Sequence, residues 1–350
     1  MKKIAKFLLL STLLLATLPC FTACNEYRGI DFVLQEDGTY GVRAKSVYHK
    51  SSLTIPEVYE GRAVTAILPN GFAEATSLET VILPPSLVSI GAGAFLGCES
   101  LAEITLPSSL VSIGASAFLG CPSLPLVREG NALYLASEGS LTFYLLRATD
   151  TAITDLTVPE GTVFIADAAF AFCRALTAVA LPASLRAVGL DAFEGCSALS
   201  VVTAADPSAF AAVSFESPYA NPASLVGGLS VNGVRLSSLT VAEGVTGIGS
   251  HALAGFTSLT SLTLPEGLLT IGDGALAGCS ALTAVTIPGS VNRIGFGAFF
   301  GCAALESVTF KTTQSWHYNG MELVAEDLED AALAAAYLTG TYHSYVWARQ

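Results

Sequence analysis

Residues Leu101 to Ser123 read L-A-E-I-T-L-P-S-S-L-V-S-I-G-A-S-A-F-L-G-C-P-S, and this 23-residue phrase returns through most of the chain. Its opening leucine recurs at Leu78, Leu101 and Leu124, at Leu176 and Leu199, and at Leu259, Leu282 and Leu305. A fixed period of about 20–29 residues marks a solenoid whose coils bury their apolar sides against one another. Within each phrase, L-x-x-V/I-x-L/I-P turns residues such as Leu101, Ile104 and Leu106 inward on a short strand. Prolines such as Pro84, Pro107 and Pro182 end that strand, where a missing N–H is tolerated. A second short strand follows, as in Leu110-Val111-Ser112-Ile113. The A-F-x-G-C piece is too short for a lasting α-helix, so a helical or 3-10 turn is expected to drop Phe and Cys into the core. The expected fold is therefore a β-rich solenoid of parallel strands, with one short helical or 3-10 turn per repeat and a cap at each end.

Eight coils start near Lys50, Leu78, Leu101, Ile153, Leu176, Leu236, Leu259 and Leu282, and a ninth opens at Leu305. The repeat region is thus expected over residues 50–310, with elaborated turns at 124–152 and 199–235. The first insert reads as a hairpin over Asn131–Leu146, and the second holds Pro207, Pro218, Pro222 and a hairpin around Asn232-Gly233. Neither has the composition of a flexible linker. Solenoid ends expose raw apolar sheet and need covering. Residues 24–49, with a turn at Glu36-Asp37-Gly38-Thr39, read as an N-terminal linker and cap hairpin. Residues 311–350 read as a C-terminal cap, helical over Ala325–Tyr337 and a strand over Tyr342–Trp347.

Residues 1–23 form a separate unit: Lys2, Lys3 and Lys6 precede an apolar stretch from Phe7 to Leu18, the pattern of a signal peptide. Phe21-Thr22-Ala23-Cys24 resembles a bacterial lipobox, which makes Cys24 the expected lipid attachment site and the membrane a partner through that lipid. Ordinary secretion is the alternative. Removing three lysines from a chain of net charge −13 leaves −16. A surface of that sign repels phosphate backbones, which argues against nucleic acid as a partner.

The repeated A-F-x-G-C-x-x-L-x-x-V/I-x-L/I-P phrase resembles the BspA-like leucine-rich-repeat family of bacterial surface and secreted proteins, over roughly Lys50 to Phe310. Leu253 and Leu276 depart from it where Phe is usual, and Ala242 where Pro is usual. The resemblance implies a leucine-rich-repeat solenoid at the bacterial cell envelope or surface, a non-catalytic platform for adhesion or binding. Its ligand would be a protein or glycan, host extracellular proteins among them. A structural spacer without a ligand, or an enzyme or inhibitor using an insert, are the alternatives. A monomer is expected, with no cofactor.

The residues themselves offer little chemistry. Cys98, Cys121, Cys173, Cys196, Cys279 and Cys302 share one slot of the repeat, which Ala75 and Phe256 fill in other coils. A slot that accepts Ala and Phe asks for apolar filling, and a free thiol serves as that. Disulfides between neighbouring coils remain the alternative in an exported chain. The four histidines lack metal spacing, and His251 is expected to be exposed at a corner. No nucleophile elbow or phosphate loop occurs in its required setting, so no catalytic residue is assigned.

More informative is the outward position between the last two inward residues of the first strand. It holds Thr105, Thr157, Thr240, Thr263 and Thr286, beside Glu79, Glu103, Asp155 and Glu306. Stacked coils would turn these into a broad, mildly polar face suited to shallow contact. Aromatics of the inserts, Tyr134, Phe143, Tyr144, Phe215 and Tyr219, are the expected anchors if they protrude.

Overall fold

The computed structural model describes residues 27–107, 109–136 and 143–349; the backbone alone is described at Ala136 and Phe143. The signal segment, Cys24 and the tip of the first insert lie outside the described residues. The chain is a parallel β-solenoid of about 11 turns, with repeats of ~23 residues.

One coil shows the rule. Strand Thr80–Ile82 pairs in parallel with Ser52–Thr54 on one side and Glu103–Ile104 on the other. Val81 turns inward while Ile82 faces solvent, as period-two alternation requires. After Pro84 the chain reverses into Ser89–Ile90, which pairs with Arg62–Ile67 and Ser112–Ile113 in a second parallel sheet. The corner that follows takes the place of the expected helical turn and divides its N–H groups in two. Ala94 and Leu96 bond back to Gly91 and Gly93, at 3.1 and 3.0 Å. Gly93, Phe95 and Gly97 instead donate to Ala115, Ala117 and Leu119 of the next coil, at 3.0, 2.9 and 2.8 Å. That alternation holds a left-handed backbone at Gly93 and Gly97, with φ of 63° and 70°.

The core is a column. Phe72, Phe95 and Phe118 stack with centroids 5.8 and 5.6 Å apart, and Phe170 stacks on Phe193 at 5.3 Å. Where Leu253 replaces the usual Phe, Phe256 occupies the Cys slot and stacks on Phe210 at 6.1 Å, so the ring is kept and only moved. Each interior Phe buries area worth about 1.5–3 kcal/mol, and its stack adds about 0.5–1.5 kcal/mol.

The two inserts behave differently. Strands Leu126–Glu129, Ala132–Ala136 and Phe143–Ala148 form an antiparallel unit whose last strand pairs in parallel with Thr162–Ile165. The N-terminal hairpin, Ile30–Leu34 with Tyr40–Ala44, meets Arg62–Ile67 in the same way, including the register shift at its start. Equivalent bonds recur: Ala44 to Gly71 at 2.7 Å and Ala148 to Ala169 at 2.8 Å, then Lys45 to Gly29 and Thr149 to Asn131. The first insert is therefore a second copy of the starting cap. It lies where the buried residues separate into two clusters, with Leu135 and Tyr144 in one and Tyr134 and Leu145 in the other.

The second insert keeps the core whole. Phe210, Phe215, Ala220 and Leu229 all belong to the larger cluster. Asn221, fully buried, donates to the carbonyls of His251 and Ala252 at 2.8 and 2.9 Å and accepts from the Ala223 N–H.

At the C-terminal end the expected single helix is two, Ala325–Glu329 and Ala331–Ala336. Asp330 breaks it by capping the second, accepting from the N–H groups of Ala332 and Leu333. The strand lies later than expected, at Trp347–Arg349, and pairs antiparallel with Arg293–Ile294 and Trp316–Tyr318. Trp316 and Trp347 meet edge to face with Phe310 beside them, sealing the last coil.

Two outcomes follow for stability. Phe95→Ala should cost about 3–5 kcal/mol in denaturant unfolding followed by circular dichroism. Residues 124–350, which carry their own starting cap and the C-terminal cap, should melt cooperatively as a fragment. Residues 27–123, whose lower end would be bare, should not.

Candidate functional site

The strand face is open along the molecule. Thr105, Thr157, Thr240, Thr263 and Thr286 are all exposed, as are Glu79, Glu103, Asp155 and Glu306. Thr240 pairs with Thr263 and Thr286 with Thr309, while Thr157 faces Ala180. The face is not one sheet. It is divided into Ser52–Ile104, Asp155–Ala204, Ser238–Thr263 and Ala284–Phe310. The hydroxyl row is therefore made of short pieces, and the first of them carries a depression of about 290 Å³ beside Ile82, Glu103 and Thr105.

The insert aromatics divide. Tyr219 is 57% exposed, but Tyr134 and Tyr144 are 1% and 2% exposed, which corrects their expected place on a binding surface. They are core residues because the first insert is wedged between two clusters and buries both faces of its hairpin. The Tyr144 hydroxyl reaches the Pro107 carbonyl at 3.4 Å, and burial pushes its ionisation above the usual tyrosine range. Phe215 is buried as well.

A second surface was missed by the sequence reading: the corner edge. Phe172 is 54% exposed and stands at φ 60°, in a column where Gly97, Gly120, Gly195, Gly255, Gly278 and Gly301 hold the same left-handed backbone and Glu74, at φ 58°, is the other residue with a side chain. Its signal was present in the sequence as A-F-A-F-C, with Phe in the glycine slot. A bulky residue in that region costs on the order of 1–3 kcal/mol. Exposed Leu190 and Tyr219 follow on the next two coils, whose backbones accept from Ala168 and Phe193.

Among the described residues no group of three His, Cys, Asp or Glu is placed to hold a metal ion. The six described cysteines are free and buried. Cys98, Cys121, Cys196, Cys279 and Cys302 each donate to a carbonyl of the preceding coil, as from Cys98 Sγ to Phe72 at 3.2 Å. Burial pushes the Cys196 thiol up to about 11, where the nucleophilic thiolate is scarce at neutral pH. His251, expected to be exposed, is half-buried at φ 53°, and burial lowers its pKa. The most perturbed carboxylate is Asp167. Burial, with Glu216 and Asp191 nearby, raises it to about 6, against the pull of the Leu190 and Ala115 N–H groups.

Two further open depressions accompany these surfaces. One, of about 500 Å³, lies where the first insert meets the corner of the coil before it. The other, of about 620 Å³, lies beside the second insert and is lined by Arg186, Ala209 and Gly247 among others.

Two measurements check this description. Iodoacetamide at pH 8 should modify none of the six repeat cysteines in the native chain and all six in denaturant, read by mass spectrometry. The raised pKa of Asp167 means its contribution to stability is complete below about 3.8 and is lost as pH rises through about 6. Asp167→Asn should therefore melt higher than the native chain at pH 7.5, with the difference gone at pH 4.

Several solved proteins are similar to this chain. A leucine rich repeat protein of T. pallidum is 22% identical with a TM-score of 0.30, covering 79% of this chain and 88% of that one. One from Bacteroides ovatus is 21% identical at 0.30, over 81% and 87%. A leucine rich cell surface protein of Faecalibacterium prausnitzii is 20% identical at 0.30, over 82% and 94%. No curated protein matches the chain. The profile of the BspA type leucine rich repeat region matches in six copies over residues 65–139, 146–218 and 230–320. With well over half its length so matched, the chain belongs to the BspA-type leucine-rich repeat family.

Proposed function

We propose that this protein is a non-catalytic binding platform at the bacterial cell surface, held there by a lipid on Cys24 and engaging a protein or glycan of its surroundings. Phe172 carries the reading. Its side chain is exposed, so it adds little to the core, yet it keeps a backbone conformation that glycine supplies in neighbouring coils at no steric cost. Strain retained at an exposed aromatic is a mark of contact with something outside the molecule. Leu190 and Tyr219 on the two following coils extend that edge, and the polar strand face beside it supplies area for wide, shallow contact.

The repeat has the right mechanics for such work. Side chains set on stacked coils keep fixed spacings of about 4.8 Å per coil, so several weak contacts act together without a pocket. A strongly acidic surface also favours partners with basic patches and sets a salt-dependent encounter rate.

The test uses the chain from Asn25 onward as bait against immobilised host matrix proteins and bacterial polysaccharides. Phe172→Asn and Tyr219→Ala should each weaken capture about tenfold, near the 1–2 kcal/mol of a surface anchor, while Phe172→Asn leaves Tm no lower than native. No retained partner in the whole screen would leave a surface spacer as the better account. For the anchor, metabolic labelling with a radioactive fatty acid should mark the native protein and not Cys24→Ala.

A further inference from the structure

The first insert interrupts the bonding rule of the corners, and what it leaves behind is a site. In a regular junction three N–H groups of one coil donate to alternate carbonyls of the next: His251, Leu253 and Gly255 to Asp273, Ala275 and Ala277, at 2.9, 2.8 and 2.7 Å. By repeat position, the N–H groups of Ser116, Phe118 and Gly120 should donate to Asp167, Ala169 and Ala171. They do not, because the second cap is interposed, and Asp167 reaches back past it only through its own N–H, which donates to the Ile113 carbonyl at 3.2 Å. Among the described residues, those three N–H groups find no acceptor and the carbonyls of Asp167 and Ala171 find no donor; Ala169 is taken by the Ala148 N–H.

The 500 Å³ groove runs along Ser116 to Gly120 and reaches Asp167 alone of the three acceptor residues; Phe118, Leu126, Leu133 and Leu146 line it beside Arg147, with Leu119 exposed at its rim. Donors at every second residue on one side, with the free Asp167 carbonyl on the other, match the main chain of an extended peptide. A lone anion would engage one or two of the donors and not that carbonyl.

We propose that this groove captures a peptide segment of a partner protein, a stretch of small and apolar residues whose alternate carbonyls replace the missing coil. The proposal rests on the platform reading above and assigns that platform one binding slot and one class of partner. Small residues are required because the corners that normally occupy such a position are mostly glycine and alanine, as in Gly272-Asp273-Gly274-Ala275-Leu276-Ala277-Gly278. Main-chain pairing supplies affinity, while the Leu126, Leu133 and Leu146 walls select for an apolar side chain between the paired carbonyls.

The probe is a synthetic peptide copying residues 269–281 with Cys279→Ser, used with a phage-displayed library of random dodecapeptides, both against the chain from Asn25 onward. Amide hydrogen exchange is read residue by residue. The expected result is about tenfold slower exchange at Ser116, Phe118 and Gly120 with bound peptide. Leu146→Glu should weaken binding about tenfold or more. Leu119→Glu, an exposed rim position that cannot impair folding through the core, should do the same. Unchanged exchange at all three amides with both probes overturns the proposal, as does binding that survives both variants. Capture of a matrix protein or polysaccharide that is lost in Phe172→Asn but kept in Leu119→Glu would leave the platform standing and remove the groove from it.

Discussion

A corner of this solenoid cannot satisfy its own backbone. Half of its N–H groups bond back three residues, and the alternate half have nowhere to go except the carbonyls of the next coil. Leaving a buried N–H unpaired costs about 1–3 kcal/mol, so each coil demands a successor in register. This demand explains the fixed 23-residue period better than the leucines alone do, since apolar side chains tolerate small changes of position and hydrogen bonds do not. It also explains the glycines of the corners. A Cβ on Gly91 would stand 2.5 Å from the Pro69 nitrogen, so the close approach that makes the bond excludes any side chain.

The two inserts answer that demand differently, and before the second one, among the described residues, Phe193 alone of Asp191, Phe193 and Gly195 still donates onward, to Tyr219 at 3.3 Å. Residues 199–235 depart from the period but hand the column on, with Phe210 stacking on Phe256 and Asn221 sewing the insert to the carbonyls of the next coil. Residues 124–152 decline to continue and begin again with a hairpin of the starting type. A cap is built to end a column, so it cannot offer its upper neighbour the acceptors that a coil would. The groove is the direct consequence of placing a beginning in the middle.

Most of the architecture was legible because it is written in period and alternation. Thr157 and Thr263 could be placed outside, and Leu156 and Leu262 inside, from their spacing alone. The misreadings share one cause: a local pattern gives the face of a residue but not what lies against that face. Tyr134 and Tyr144 belong to a hairpin whose alternation implies one wet side, and only the second core behind it makes both sides dry. Asp330 sits in a helix-forming run, and nothing short of its two accepted N–H bonds marks it as a break. For His251 the corner was read correctly but the coil below was not, since the ring lies over Gly274, where no side chain pushes it out. Phe172 differs, because its departure from A-F-x-G-C stands in the sequence itself as A-F-A-F-C.

That last residue bears on why such folds carry binding surfaces at all. In a compact domain, a strained residue weakens one cooperative unit as a whole. In a solenoid, stability is a sum of coil and interface terms, so the cost of Phe172 falls on its own coil and the two that touch it. Phe170 and Phe193, stacked in the column beside it, lie in the same two coils and offset that cost locally. The fold can therefore hold a side chain outward in an unfavourable backbone state at one coil while leaving the next unchanged. Contact residues can then be varied coil by coil without renegotiating the core, provided each coil still delivers its carbonyls to the one before it.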